Sequence, residues 1–194
     1  MGYAIAEAAR DRGAEVILVT GPTALAPPPG VETVFVTSAN EMADALSRFL
    51  GWSTVVIMAA AVADFRPKES AAQKLKKQGR SSLVLNLEAA PDILAMLSAQ
   101  KTNQLLIGFA AETERVIEHA RVKLEGKGLD MIVANDVTRE GAGFGSNDNA
   151  AVILTRAGGQ RELGLMPKSR LADEILTEAR TLCADRHPSP ASVE

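Results

Sequence analysis

A single cysteine, Cys183, stands in the 194 residues, so no disulfide can form within the chain. The two histidines, His119 and His187, lie far apart and show no ligand spacing, which argues against a zinc site. No apolar run approaches the length of a membrane span. The N-terminus shows no basic stretch followed by an apolar one, so no secretory signal is read there. Basic excess is lacking too: 21 Lys and Arg face 24 Asp and Glu, for a net charge of −3. Phosphate-backbone binding usually shows as basic excess, so a nucleic-acid partner is not expected. The picture is a cytoplasmic protein with neither membrane nor nucleic acid among its partners. Also absent are the glycine spacings of the dinucleotide fingerprint and the P-loop. Gly13 and Gly21 form neither, and the glycine-rich run at 141–149 (GAGFGSNDN) has the wrong spacing for both.

What is present suffices for a core. Hydrophobic residues make up 46% and charged residues 23%, as in ordinary globular domains. The pattern alternates helix and strand. An Ala-rich helix runs from Gly2 to Arg12 and stops at Gly13. Strands are expected at 15–20 and 31–36, then a helix from a Ser38 cap to about Leu50. Thr54–Met58 (TVVIM) is apolar throughout, as in a parallel sheet covered on both faces. A long, polar, basic excursion follows from Ala59 to Ser82. Leu83, Leu85 and Leu87 alternate beyond it and predict a strand. Pro91 opens a helix reaching about Ala99. Strands at 104–109 and 129–134 enclose a helix from a Thr113 cap towards Gly126. Ala157-Gly158-Gly159-Gln160 joins a hairpin of strands at 150–155 and 161–165. A final helix spans 168–183, and a frayed tail is expected from Asp185.

This order predicts an α/β fold: a doubly wound, mostly parallel Rossmann-like sheet with helices on both faces. One domain, 1–184, is expected, with 59–90 as its excursion and 185–194 as its tail. Ligands of such sheets bind at the carboxyl ends of the strands. Unusual sequences sit at four such ends: Gly21-Pro22, Ala59 to Asp64, Gly108 to Glu112, and Asn135-Asp136.

Ala59, Ala60 and Ala61 would let a ligand approach the backbone. Asp64 fits either Mg²⁺ or ligand hydroxyls, or a turn cap. Lys74, Lys76 and Lys77 form a basic cluster. It could close over a triphosphate, or be a solvated charge run. Pro91, Asp92, Ile93 and Leu94 open a helix whose free amides suit an anion, while Asp92 also suits the helix dipole by itself. Phe109 could stack on a base or belong to the core. Lys123 and Lys127 share one helix face. About ten residues of helix would carry Lys123 about 15 Å from the strand end, within reach of only the far part of an extended ligand. Asn135 can donate and accept, which suits an amide or phosphate.

Taken in order, Met1-Gly-Tyr-Ala-Ile-Ala6, Ala60-Ala-Val-Ala-Asp-Phe65, Lys74-Leu-Lys-Lys77, Pro91-Asp-Ile-Leu94, Gly108-Phe-Ala-Ala-Glu-Thr113 and Ala134-Asn-Asp-Val137 resemble phosphopantothenoylcysteine synthetase. More specifically, they are similar to the C-terminal half of the bacterial bifunctional decarboxylase–synthetase. The resemblance implies a ligase of coenzyme A biosynthesis. CTP and Mg²⁺ would activate 4′-phosphopantothenate as an acyl-cytidylate, and the cysteine amine would then displace CMP. It implies that Ala59, Ala60, Asp64, Lys74, Pro91, Asp92, Ile93, Leu94, Phe109, Lys123 and Lys127 surround CTP. Lys74 would be catalytic, on a flap. Ala61 and Asn135 would face the acyl substrate. A homodimer is implied, with the excursion reaching its partner.

Two departures stand out. Family members carry a first strand, a glycine-rich turn, an asparagine and a Ser-Ser-Gly turn ahead of the residues matching Met1-Gly2. The central strand and part of the triphosphate site are thus expected to be missing here. The flavin-dependent decarboxylase half is missing as well, so no flavin is expected, and a decarboxylase partner would be separate or fused elsewhere. Ala89-Ala90 also stands where family members often have a basic or polar pair. Two other classes compete with the ligase reading. A non-catalytic dimerisation or nucleotide-binding module would fit the missing segment. A nicotinamide-dependent oxidoreductase would fit the sheet, but lacks both the glycine fingerprint and a Tyr-x-x-x-Lys pair, since Glu7 stands four residues after Tyr3, the only tyrosine.

Overall fold

The computed structural model describes residues 1–69, 71, 73–77, 79, 81–112, 115–136 and 146–186, with the side chains of Glu112 and Asp136 excepted. The main sheet has five strands in the order β3 (Val55–Met58), β6 (Leu105–Glu112), β7 (Met131–Asp136), β8 (Asp148–Thr155) and β9 (Gln160–Pro167). Strands β3, β6 and β7 are parallel; β8 and β9 join antiparallel as the expected hairpin. The hairpin is therefore the edge of the sheet rather than an appendage.

Alternating side chains of β6 and β7 feed two cores, as the period of a strand requires. Leu105, Ile107, Met131 and Val133 meet α1 (Gly2–Asp11) and α5 (Lys168–Arg186) through Ile5, Leu171 and Ile175. Leu106 and Ile132 meet the other face. There α2 (Ala39–Leu50), α3 (Ile93–Gln100) and α4 (Val116–Gly126) supply Ala45, Leu97 and Leu124. Coverage on both faces explains the apolar β7, whose Met131 to Ala134 are wholly buried. Gly108 answers to this packing: a Cβ there would stand 2.6 Å from Leu129 Cδ1.

The local signals mostly hold. Ser38 caps α2 by accepting from the Glu41 amide at 3.2 Å, and Glu41 reaches back to the Thr37 amide. Several boundaries differ from expectation. Strands β6 and β7 run past the expected ends at 109 and 134 to Glu112 and Asp136, pairing Ala111 with Asn135, so the motifs at those ends lie within the strands they close. The helix expected at Pro91 begins at Ile93, because Asp92 is its cap and accepts from the Ala95 amide at 3.1 Å. Helix α4 begins at Val116, after Arg115 in the left-handed region (φ 48°). The expected Thr113 cap lies outside the described residues, as do Val137 and 141–145. Asp148 and Asn149, expected in a loop, start β8 because they pair with Pro167 and Met166. Helix α5 extends to Arg186, which is held to the carbonyl of Gln104 at 3.0 Å and to the Asp130 carboxylate. The expected tail thus loses its first two residues to the helix; 187–194 lie outside the described residues.

The strand expected around 83–87 is a short one, β5 (Leu87–Ala89), antiparallel to β4 (Phe65–Pro67). Leu83, Val84 and Leu85 are exposed and have no strand beside them among the described residues: their alternation has no face to bury there. The larger departure concerns continuity. Strands β1 (Ile17–Thr20) and β2 (Glu32–Phe35) pair in parallel but form a sheet of their own. Between β1 and β3 lies a cavity of about 790 Å³, lined by both strands and by α1 and α2. Ile17, Leu18, Val19, Val55 and Ile57 stay only half-buried along it.

Candidate functional site

The carboxyl edge of β3 leads into the excursion, and the excursion is clipped shut at its base. Arg66 pairs with Glu88 across β4 and β5 at 2.6 Å. The ladder extends on both sides: the Ala90 amide donates to the Asp64 carbonyl at 2.8 Å, and the Lys68 amide to the Asn86 carbonyl at 2.9 Å. This stem brings Asp64 beside Ala90 and so beside the start of α3. Two segments that are separate in sequence thereby meet at one edge.

Ala59 is half-buried, with its Cβ 3.9 Å from where a Cβ on Gly2 would stand. The start of α1 therefore reaches the same edge. Ala60 and Ala61 are exposed beside it, and small side chains leave their backbone open to a ligand. Asp64 is exposed, and its carboxylate makes no ion pair among the described residues. No three His, Cys, Asp or Glu side chains gather into a metal cage among the described residues. That arrangement fits a Mg²⁺ carried by phosphates with one carboxylate at hand, and does not fit an all-protein site.

At the head of α3, Asp92 accepts the Ala95 amide and pairs with Lys127. Partial burial works against its ionisation. Lys127, the Ala95 amide and Lys123 together outweigh that and hold its pKa below the usual carboxylate value. The side chains of Ile93 and Leu94 are buried in the core, so only their backbone groups remain for a ligand. Pro91 is half-buried just outside the cap.

Lys123 lies closer to the sheet than helix length alone predicts. Its ammonium donates to the Phe109 carbonyl at 2.9 Å. Helix α4 runs back along the sheet, and the long lysine stem returns the charge towards the carboxyl edge. Strand β3 ends opposite Gly108, so 109–112 have no strand on that side among the described residues. Phe109 itself is half-buried and packs against the α1/α5 core. Lys74, Lys76 and Lys77 are exposed on the excursion.

Asn135 is the group that most wants a partner. Its Oδ1 is buried and accepts no hydrogen bond among the described residues, between Ala111 and Ala151 on the neighbouring strands. Buried polar atoms are nearly always satisfied, and an orphan at a strand's carboxyl end points to a ligand or water. One cation escaped the sequence reading. Lys168 starts α5 where β9 ends, beside the Met1 amine; burial, then Lys168, lowers that amine's pKa. Finding it needed the direction of β9 in the sheet, which the hairpin turn gives only once β7 and β8 are known to pair.

A family model described as the C-terminal domain of DNA/pantothenate metabolism flavoproteins matches residues 1–182. The chain belongs to that family. It is 46% identical over 183 residues to the coenzyme A biosynthesis bifunctional protein CoaBC of Bacillus subtilis, covering 94% of this chain and 45% of that protein. The protein of the same name from Vibrio vulnificus is also 46% identical, over 184 residues, covering 94% of this chain and 46% of that protein. The chain thus spans about half the length of these curated relatives. A crystal structure of the C-terminal domain of CoaBC superposes with a TM-score of 0.80 at 43% identity, covering 95% of this chain and 82% of that one. The doubly wound α/β fold expected from the sequence is thereby the family's fold. No helix among the described residues is long and apolar enough to cross a membrane.

Proposed function

We propose that this domain is the phosphopantothenate–cysteine ligase unit of coenzyme A biosynthesis. The observation that carries the reading is the Asn135 Oδ1, buried and without a partner among the described residues, at the carboxyl edge of the parallel strands where β3 leads into Ala59–Asp64. Support comes from relatives whose names place them in coenzyme A biosynthesis.

The reaction needs activation, because a carboxylate is a poor acyl donor. A carboxylate oxygen of 4′-phosphopantothenate attacks the α-phosphorus of CTP, and pyrophosphate leaves. The cysteine amine then attacks the acyl carbon, loses a proton, and CMP departs. Bound Mg²⁺ would neutralise phosphate charge, with Asp64 the carboxylate nearest to hand. The backbone of Ala59 and Ala60 and the head of α3 would hold the nucleotide. Lys123 and Lys127, already engaged with the Phe109 carbonyl and Asp92, would act by orienting those groups. Asn135 and Ala61 would face the acyl group, and Lys74 would close over the triphosphate. The protein would work in the cytoplasm as a homodimer. Phe65, Leu75, Leu83, Val84 and Leu85 are exposed along the excursion, an apolar surface that a second copy would cover. A decarboxylase supplying the pathway would be a separate unit, and no flavin would bind here.

The open cleft between β1 and β3 favours a second reading, as a non-catalytic dimerisation or nucleotide-binding module. One apolar parallel strand, entering ahead of Met1, would bridge the two sheets. Pyrophosphate release would be measured with CTP, Mg²⁺, 4′-phosphopantothenate and cysteine. The chain would be compared with a version extended ahead of Met1 by such a strand and a phosphate-binding turn. Activity in the extended protein supports the ligase reading. Activity in neither, with no stabilisation by CTP, refutes it in favour of a non-catalytic module. Asp64→Ala is expected to weaken CTP·Mg²⁺ binding about tenfold, the loss of one charged contact. Calorimetric titration giving wild-type affinity would return Asp64 to the role of a turn residue.

A further inference from the structure

The opposite, amino edge of the sheet holds a second cavity, of about 450 Å³. It lies the full length of β6 away from the carboxyl edge, roughly 23 Å at strand spacing. Its floor is Gly128, held at φ +62°, where a Cβ would stand 2.0 Å from Ser98 Oγ. Only glycine leaves that floor open, because the neighbouring Ser98 hydroxyl donates to the Gly128 carbonyl at 3.3 Å.

The charge in this cavity is unbalanced. Lys101, Arg156 and Arg186 face a single carboxylate, Asp130. Asp130 takes Lys101 at 2.6 Å and Arg186 as ion partners. Arg186 is fully used, since its other terminal nitrogen donates to the Gln104 carbonyl. Arg156 is not. Its Nε donates to the Leu129 carbonyl at 2.8 Å, which fixes the plane of the guanidinium. Its two terminal nitrogens make no ion pair among the described residues. The C-terminal ends of α3 and α4 approach this edge with about −0.5 charge each, which leaves a net charge of about +1.

We propose that this cavity binds a phosphate group, free or as a terminal phosphomonoester, at a site separate from the carboxyl edge. A guanidinium held flat by a backbone carbonyl offers two parallel donors, the geometry that matches a phosphate. The half-buried Lys101 ammonium has hydrogens left after Asp130 is served, and the Asn103 amide adds a neutral donor at the rim. The cavity is large enough for a phosphate and a few further atoms. Such a ligand would act as an effector. It would bind Arg156 and Lys101, whose partner Asp130 ties α3, β6 and α5 together, and would touch none of the groups assigned above to the reaction.

The test is a titration of the full chain with inorganic phosphate and, separately, glycerol 3-phosphate, read by thermal shift and by arginine Nε NMR. Sodium chloride at equal ionic strength is the control for screening. Phosphate is expected to raise the melting temperature beyond the chloride control and to move the Arg156 Nε resonance. Arg156→Ala is expected to lower the affinity at least tenfold, and Arg156→Lys several-fold, because it keeps the charge and loses the fork. Lys74→Gln is expected to bind as wild type. Tighter binding of glycerol 3-phosphate than of phosphate would assign a phosphomonoester, and the reverse order free phosphate. Stabilisation no greater than chloride gives would overturn the proposal. So would binding that survives both Arg156 variants or is lost in Lys74→Gln. Arg156→Lys loses the Nε bond but keeps a cation whose Nζ can still reach the Leu129 carbonyl, so it decides the matter if the alanine variant does not fold.

Discussion

Lys74→Gln is expected to slow pyrophosphate release about 10²–10³-fold, the usual loss when one preorganised donor to developing charge is removed. The melting temperature should stay within the range of an ordinary surface substitution, about 0.5 kcal/mol in stability. Both halves follow from where the residue sits. Lys74 is exposed and makes no ion pair among the described residues, so the fold does not depend on it. It stands on a segment clipped at its base by the β4–β5 stem, which allows the loop to fold over the edge while its ends stay fixed. Lys76 and Lys77 are exposed as well, and they separate position from charge. If Lys74 acts by placement, Lys76→Gln and Lys77→Gln cost less than tenfold. If only the cluster's charge matters, the three variants fall together. Steady-state and single-turnover rates of pyrophosphate release at saturating CTP distinguish these outcomes, and an unchanged rate in Lys74→Gln removes the flap role.

How much of this was legible in the sequence depended on the range of the interaction. Local signals were legible: Gly13 ends α1, Ser38 starts α2, and Gly158-Gly159 turns the hairpin. The unbroken apolar runs of β3 and β7 predicted burial on both faces; β7 is wholly buried from Met131 to Ala134, whereas Val55 and Ile57 of β3 stay half-buried beside the cleft. Leu83 and Leu85 misled because alternation describes a strand only where a neighbour and a face exist. Lys123 misled because rise per residue fixes a Cα, whereas a lysine ammonium can return by the length of its stem. Asn135 could be picked from its strand-end position, but its orphaned oxygen depends on Ala111 and Ala151, supplied by two other strands. The amino-edge cluster was invisible to motif reading. Lys101, Asp130, Arg156 and Arg186 are spread over 86 positions, and only the fold gathers them.

Asp130→Ala is expected to destabilise the domain by about 3–5 kcal/mol, the cost of removing one partner from a buried ion pair. The carboxylate is 7% exposed. Besides Lys101 and Arg186 it accepts the Leu106 amide at 2.8 Å, at the start of the central strand. Its removal leaves two cations without their carboxylate and a buried N–H without an acceptor, with the Gln104 carbonyl still holding Arg186 at the end of α5. Asp130→Asn should cost less, because one amide oxygen can still accept from Leu106. Adding Lys101→Met to that variant should recover part of the loss, since one unpaired cation is then gone. The pH dependence carries a definite sign. Burial raises the Asp130 pKa, but the Leu106 amide, Lys101 and Arg186 outweigh it, so the folded pKa lies below the unfolded value of about 3.9. A carboxyl depressed on folding stabilises the protein above the unfolded pKa. That contribution is lost as pH falls through the folded one. Wild-type stability should therefore drop below about pH 4 more steeply than that of Asp130→Asn. Urea unfolding between pH 7 and pH 3 reads both effects. Parallel curves for the two proteins would show that Asp130 carries no ionisation-linked stability, and that the packing of α5 is set by its apolar face alone.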